Sequence, residues 1–292
     1  MSTFVDFKIE QLDSNEIPNK LKEIPEPPKK LFYRGTWPNK GMRVLAVVGS
    51  RKFTTYGREV CEKLIRGLAG YPIVILSGLA LGIDTIAHET AIDNNILTMA
   101  IPGSGLDEKV IYPSSNKRLA EKILDCGGLL LSEYEPDFHA TAWSFPRRNR
   151  LMAGLADAVL VIEAEIKSGT LITARLATDY NRDVMTVPGS IFSDTSEGPN
   201  LLLKLGAIPI TSSQDILEAF GLASVGDNIQ KKLDLTDCSP NEIRILQCLD
   251  TPVDRDELSR RSGLSARDLN QVLTLMELKG MIKENAGEIY KK

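Results

Sequence analysis

The sequence predicts an α/β fold: a Rossmann-like, doubly wound and mostly parallel sheet followed by a small winged-helix domain. Three observations predict it. From Arg43 to about Leu222, short β-branched runs alternate with amphipathic stretches of helical length, as in a parallel sheet covered on both faces. Small and polar residues recur where those runs end: Gly49-Ser50-Arg51, Ser77-Gly78, Pro102-Gly103-Ser104-Gly105, Ser132-Glu133, Ser168-Gly169-Thr170 and Pro188-Gly189-Ser190. Such turns mark the ligand-binding edge of an open sheet. Finally, the last stretch of the chain offers three short helices and then two extended runs around Asn285-Ala286-Gly287.

Residues 1–42 are interrupted by Pro18, Pro25, Pro27, Pro28 and Pro38, which read as an extended lead-in lying on the next domain through Leu31, Phe32, Tyr33 and Trp37. The domain over 43–222 takes strands at Val44 to Val48, Ile73 to Leu76, Leu97 to Ile101, Leu129 to Leu131, Ala158 to Ile162, Val184 to Val187 and Ile208 to Ile210. Helices are expected near 57–69, 83–94, 116–126, 148–155, 169–180 and 213–220. A linker over 223–232 contains Gly226, Asp227 and Asn228. The winged-helix domain occupies 233–292, with helices over Ser239 to Cys248, Asp254 to Ser262 and Ser265 to Gly280.

Composition narrows the chemistry. With 35 Lys+Arg against 39 Asp+Glu the chain carries a net charge of -4, so a nucleic-acid site must be a local gathering of cations. Four cysteines without a CxxC pair, and only His88 and His139 as histidines, exclude the common zinc frameworks. No apolar run approaches the roughly twenty residues of a membrane span, and the acidic start has no signal-peptide pattern. A cytoplasmic protein without metal or cofactor is expected.

Nucleotide-enzyme motifs are missing. The first strand ends Gly49-Ser50-Arg51-Lys52 rather than in G-x-G-x-x-G, and neither a G-x-x-x-x-G-K-[ST] loop nor a G-x-S-x-G elbow occurs. The glycine-rich edge still suits an anion, because glycine admits a ligand to the backbone and helix starts present free N–H groups. The segment HATAWSFPRRNRLMAGL, His139 to Leu155, sets Arg147, Arg148 and Arg150 beside Trp143 and Phe145. Guanidinium groups there would hold phosphates while rings stack on bases. Cations at a helix start oppose its dipole, which favours a binding role over a merely solvated one. Asp84 and His88 share a helix face and read as a pair fixing that helix start. Glu133 and Glu163, each just past a strand end, are the one conceivable carboxylate pair.

The order and content of these turns closely resemble the DNA-processing protein A family (DprA, also called Smf). The matching segments are IPNKLKEIPEPPKKLFYRG, VVGSRKFTTYG, SGLALGIDTIAH, PGSGLDEKVIYP, LLLSEYEP, FPRRNRLMAGL, IEAEIKSGTLITARLA, DVMTVPGS and SEGPNLLLKLGA, in family order over about residues 17 to 222. The resemblance implies a non-enzymatic protein that binds single-stranded DNA entering by transformation, shields it, and loads a RecA-type recombinase onto it, working as a homodimer. By motif, the DNA site would comprise Gly49, Ser50 and Arg51 with Ser77 and Gly78. Phe145, Arg148, Asn149 and Arg150 would add stacking and phosphate contacts, and Lys167, Ser168, Gly169 and Thr170 would close the site; Arg147 joins them from the basic segment. The family usually has Gly-Arg where this chain has Asn181-Arg182, and Asn is the next most tolerant residue of a left-handed helix end. Members often carry a helical N-terminal domain, in whose place this sequence has the short lead-in.

Two alternatives use other features. A nucleoside-monophosphate phosphoribohydrolase of the lysine-decarboxylase-like family would share the phosphate-binding rim, but Thr173-Ala174 stand where its signature wants an acid. A transcription regulator would rest on the winged helix alone. Residues 233–292 hold nine basic against eleven acidic side chains, a poor match to a duplex backbone.

Overall fold

In the computed structural model the described residues are Phe4, 7–222, 239–249, 253–278, 281–285 and 288–291. The chain divides into two compact units, Met1–Ala223 and Ser224–Lys292. The linker expected over 223–232 lies outside the described residues.

The first unit is built on a nine-stranded sheet. Its parallel core comprises β3 (Arg43–Val48), β4 (Ile73–Ser77), β5 (Thr98–Ala100), β6 (Leu129–Ser132), β7 (Ala158–Val161), β8 (Asp183–Thr186) and β9 (Ile208–Pro209). These lie in the order β6-β5-β4-β3-β7-β8-β9. The order reverses between β3 and β7, which makes their carboxyl ends the topological switch point. The seven strands fall where the alternation of the sequence puts them. Successive residues point to opposite faces, so each strand serves two cores. Ala46, Val48, Val74, Leu76, Val159 and Val161 face one cluster, which includes Leu151 and Met152 of α5 (Ser144–Leu155) and Ala174 and Ala177 of α6 (Gly169–Asp179). Leu45, Val47, Ile73, Ile75, Ala158 and Leu160 face the other. That second face is covered by α2 (Thr55–Arg66), α3 (Ile83–Asp93) and α8 (Ser213–Ala219), through residues such as Leu64, Ala87 and Ile216.

The lead-in enters the sheet. β2 (Leu31–Gly35) pairs antiparallel with β6, and β1 (Glu10–Leu12) pairs antiparallel with β2. Leu31 and Phe32 are buried by it, while Leu21 of the short α1 (Asn19–Lys22) plugs the core beneath α5. On the far edge a helix unmarked by the sequence pattern appears, α7 (Asp194–Lys204), with Pro199 inside it. Proline cannot donate to the carbonyl four residues back. That carbonyl, Thr195 O, instead accepts from Ala164 N at 2.8 Å, and Gly198 N donates to Ala164 O at 2.8 Å. The helix survives because the strand-end loop replaces the bond it forfeits. A short 3-10 turn (Ser114–Asn116) leads into α4 (Lys117–Asp125), which packs Leu119, Ile123 and Leu124 onto the β5–β6 edge.

The second unit contains α9 (Pro240–Cys248), α10 (Arg255–Ser262), α11 (Ala266–Leu278) and the hairpin of β11 (Ile282–Asn285) and β12 (Glu288–Lys291). A two-residue strand, β10 (Val253–Asp254), completes the small sheet in the order β10-β12-β11. α9 begins in a capping box in which Ser239 and Glu242 exchange side-chain and backbone bonds. α10 ends at Gly263 in the left-handed conformation. Ile245, Leu258, Leu273, Met276, Ile282 and Ile289 form its core, giving the winged helix that the sequence predicts.

Candidate functional site

A cleft of about 390 Å³ opens at the switch point. Its floor is the turn after β3, where Ser50 Oγ donates to Lys52 O at 2.8 Å and accepts from Lys52 N at 3.0 Å. That ring fixes Arg51 and Lys52 on an exposed turn. Opposite, α6 starts at Ser168, whose hydroxyl caps it by accepting from Thr170 N at 3.2 Å. Thr170 Oγ1 donates to Gly49 O at 3.2 Å, joining that helix start to the β3 turn. The third wall is α5, carrying Phe145, Arg148 and Asn149, with Asn149 Nδ2 reaching Gly169 O at 3.5 Å.

Gly49, Ser50, Arg51, Phe145, Arg148, Asn149, Lys167, Ser168, Gly169 and Thr170 therefore meet at one edge. Gly78 borders an adjoining slot with Arg51, Phe145 and Arg148. Ser77, Arg147 and Arg150 do not line the cleft. Ser77 is buried, donating to Val47 O at 2.7 Å. Arg150 is buried in an ion pair with Glu133, and Arg147 Nε lies 3.4 Å from the same carboxylate. The α5 pitch sends these two toward the end of β6 while Arg148 and Asn149 turn toward β3. Trp143 likewise packs on Tyr134 and Phe138. Lys52, which the sequence reading passed over, lines the cleft; its signal was a second cation in the same turn.

Arg148 is only 5% exposed. Its Nη1 donates to Gly78 O at 2.6 Å and also to Ile101 O. Asp84 Oδ2 accepts from Gly78 N at 3.0 Å and from Ala80 N at 3.3 Å. The two residues close on Gly78, where a Cβ would lie 2.5 Å from Arg148 Nη1 and 2.6 Å from Asp84 Oδ2. Burial raises the Asp84 carboxyl above its ordinary range despite the Arg148 charge and the two amides; burial brings Arg148 down to about 10. Arg148 stays charged at neutral pH. The same loop holds Leu79 at φ 58, a strained conformation for a bulky side chain. Asn116 Nδ2 secures it by donating to Leu79 O at 2.9 Å. Gly82, at φ 87, passes so close to the β3 turn that a Cβ would sit 2.7 Å from Arg51 Cα.

Phe145 rests on Gly103, where a Cβ would lie 2.5 Å from its ring. The Arg51 guanidinium sits 5.6 Å from the ring centroid. The exposed charge of the cleft thus comes from Arg51, Lys52 and Lys167, with Glu165 as the exposed acid.

The other titratable candidates are structural. Asp84 and His88 have separate partners: His88 Nδ1 lies 2.7 Å from Thr98 Oγ1. Glu163 accepts from Thr54 N at 2.9 Å, Thr54 Oγ1 at 2.6 Å and Thr195 Oγ1 at 3.0 Å. Glu133 and Glu163 follow β6 and β7, four strand spacings apart in the sheet order, or about 19 Å, so they form no carboxylate pair. Thr173 and Ala174, where a phosphoribohydrolase would want its acid, are buried in α6. Among the described residues no group of three or more His, Cys, Asp or Glu could hold a metal. No helix among them is long and apolar enough to cross a membrane.

Residues 8–221 match the model of the DNA recombination-mediator protein A family, and residues 231–288 match that of the DprA winged helix domain. The chain is 37% identical to Protein Smf of Escherichia coli, over 94% of this chain and 75% of that protein. It is 45% identical to DNA processing protein DprA of Streptococcus pneumoniae, over 68% and 70% of the two chains. The X-ray structure of that streptococcal protein superposes with a TM-score of 0.67 at 42% identity, covering 72% of this chain and 74% of the other. DNA processing protein A from Helicobacter pylori, whose structure is described in terms of its single-stranded DNA binding mode, superposes with a TM-score of 0.65 at 34% identity. The alignment spans 75% of this chain and 98% of that one.

Proposed function

The chain belongs to the DNA recombination-mediator protein A family, and from that premise we propose that it binds single-stranded DNA in the switch-point cleft, shields it, and delivers it to a RecA-type recombinase. The observation that carries this reading is the gathering of Arg51, Lys52 and Lys167 around Phe145 and Asn149 in a chain of net charge -4. The cations supply contacts to phosphate that are blind to sequence. The N-terminus of α6, where nothing lies within 4 Å of a Cβ at Gly169, leaves room for a phosphate against the backbone. Phe145 offers a π-face to a base of any kind. Ser77, Arg147 and Arg150 have no part in this reading, and Arg148 acts from beneath the surface.

The role is binding rather than catalysis, with Asp84 committed to the Gly78 and Ala80 amides and Glu163 to two threonines. Two copies acting as a homodimer would present two clefts to one strand and raise avidity without new contacts. Transfer to a recombinase, and the setting of natural transformation, follow from family membership rather than from a particular surface of this chain.

Competition between single-stranded and duplex DNA at fixed salt tests the core of the proposal, with the single strand expected to win. Nucleation of RecA-type filaments on the bound strand tests the delivery step. Equal affinity for both forms of DNA, or steady release of free base from AMP, would overturn the reading.

A further inference from the structure

The slot beside the cleft contains two large apolar side chains that the first unit leaves in solvent. Tyr112 is 47% exposed and Leu81 is 49% exposed. Both border the slot that Gly78 also lines, and the slot shares Arg51, Phe145 and Arg148 with the cleft. The Tyr112 and Phe145 ring centroids are 5.5 Å apart and the rings are tilted by 49°. Arg51 therefore lies against Phe145, and Phe145 lies against Tyr112, so a charged contact is followed by two adjacent aromatic surfaces. The slot holds only about 30 Å³. It cannot enclose a ligand, but its exposed ring can be covered by a flat one.

We propose that Tyr112, flanked by Leu81, is a second base-stacking platform, so that a single strand leaving the cationic cleft across Phe145 lays a further base on it. This rests on the reading of the cleft as a single-strand site. The ligand class is a nucleobase of any identity, because stacking uses the π-face that every base shares. The contact adds length to the footprint and no counterion release, since the tyrosine carries no charge to pair with phosphate.

The test uses the full chain and oligothymidylates of increasing length, with Tyr112→Ala, Tyr112→Phe and Arg51→Ala compared at several salt concentrations. Tyr112→Ala should weaken binding of long strands roughly tenfold, within the range of a base–aromatic stack. It should leave the shortest strands unaffected and keep the parental salt slope, while Tyr112→Phe should bind like the parent. Photo-crosslinking of the parent to a 5-iodouracil strand should label Tyr112, a readout that needs no variant to fold. If Tyr112→Ala binds like the parent at every length, or Tyr112 escapes the crosslink, while Arg51→Ala binds weakly, the platform is refuted and the cleft stands. If Arg51→Ala also binds like the parent, the cleft reading falls and takes the platform with it.

Discussion

Arg148 and Asp84 hold the two successive peptide units that meet at Gly78: the guanidinium bonds the Gly78 carbonyl at 2.6 Å, and the Asp84 carboxyl accepts the Gly78 N–H at 3.0 Å. The arginine that the basic segment offers as a phosphate ligand is thus a clamp on the loop after β4. One turn earlier on α5, Ser144 Oγ donates to Gly103 O at 2.6 Å and Phe145 lies against Gly103.

Breaking that clamp should cost stability first. Arg148→Ala leaves the Gly78 and Ile101 carbonyls without their guanidinium donor, and each buried polar group left unsatisfied costs about 1–3 kcal/mol. Arg51→Ala, on an exposed turn, should stay within about 0.5 kcal/mol of the parent. Urea denaturation of the two variants checks the contrast; equal midpoints would contradict the clamp.

The exposed cations should govern salt dependence. Arg51→Ala and Lys167→Ala should each flatten the slope of log K against log salt by about 0.7, the share of one phosphate on a single strand. Phe145→Ala should cost about 1–3 kcal/mol and leave the slope unchanged. A salt titration by fluorescence anisotropy separates the two signatures.

His88 should make the fold sensitive to acid. Thr98 Oγ1 donates to Ile75 O at 2.9 Å, so it accepts from His88 Nδ1–H, leaving Nε2 as a buried atom without a partner. Burial first, and the Arg148 charge second, hold the imidazole at about 3. The unfolded chain takes up this proton near pH 6.5 while the folded chain does not. The contribution is therefore complete above pH 6.5 and is lost as pH falls toward 3, at up to about 1.4 kcal/mol per pH unit within the window. Melting curves between pH 7.5 and 5 should show a steeper decline for the parent than for His88→Asn.

The turn after α6 admits a stabilising change. Asn181 adopts φ 57, which glycine reaches without strain. The relief is smaller than the roughly 1–2 kcal/mol of a general side chain, because Asn tolerates this region, and it is partly offset by the greater chain entropy of glycine, roughly 0.4–1 kcal/mol. Asn181→Gly should raise stability by about 0.5 kcal/mol, read as a small increase in Tm.

A chain ending at Leu222 should remain folded and bind single strands within about tenfold, or 1.4 kcal/mol, of the full chain. The first unit has its own three hydrophobic clusters, and among the described residues those lining the cleft belong to it. A larger loss of affinity by calorimetry would give the acidic winged helix a direct share in binding.

Much of the fold and part of the site were legible in the residues themselves. Period and composition are local properties, so the seven parallel strands, most of their covering helices and the glycine- and serine-rich edge could be read one segment at a time. Arg51 could be proposed for the same reason, as a side chain in a turn that a parallel sheet must bring to the rim; Phe145 came from its place in the basic aromatic segment, and Lys167 from the family resemblance alone. Pairing and direction are not local. Only the tertiary structure made β2 a partner of β6, and only Ala164, contributed by another loop, made a helix around Pro199 tenable. Only it sorted the arginines of one basic segment, giving Arg147 and Arg150 to Glu133 and turning Arg148 inward to Gly78 and Asp84. A guanidinium bonds whichever acceptor the packing brings within reach, and along the chain those acceptors lie seventeen residues away at Glu133 and seventy away at Gly78.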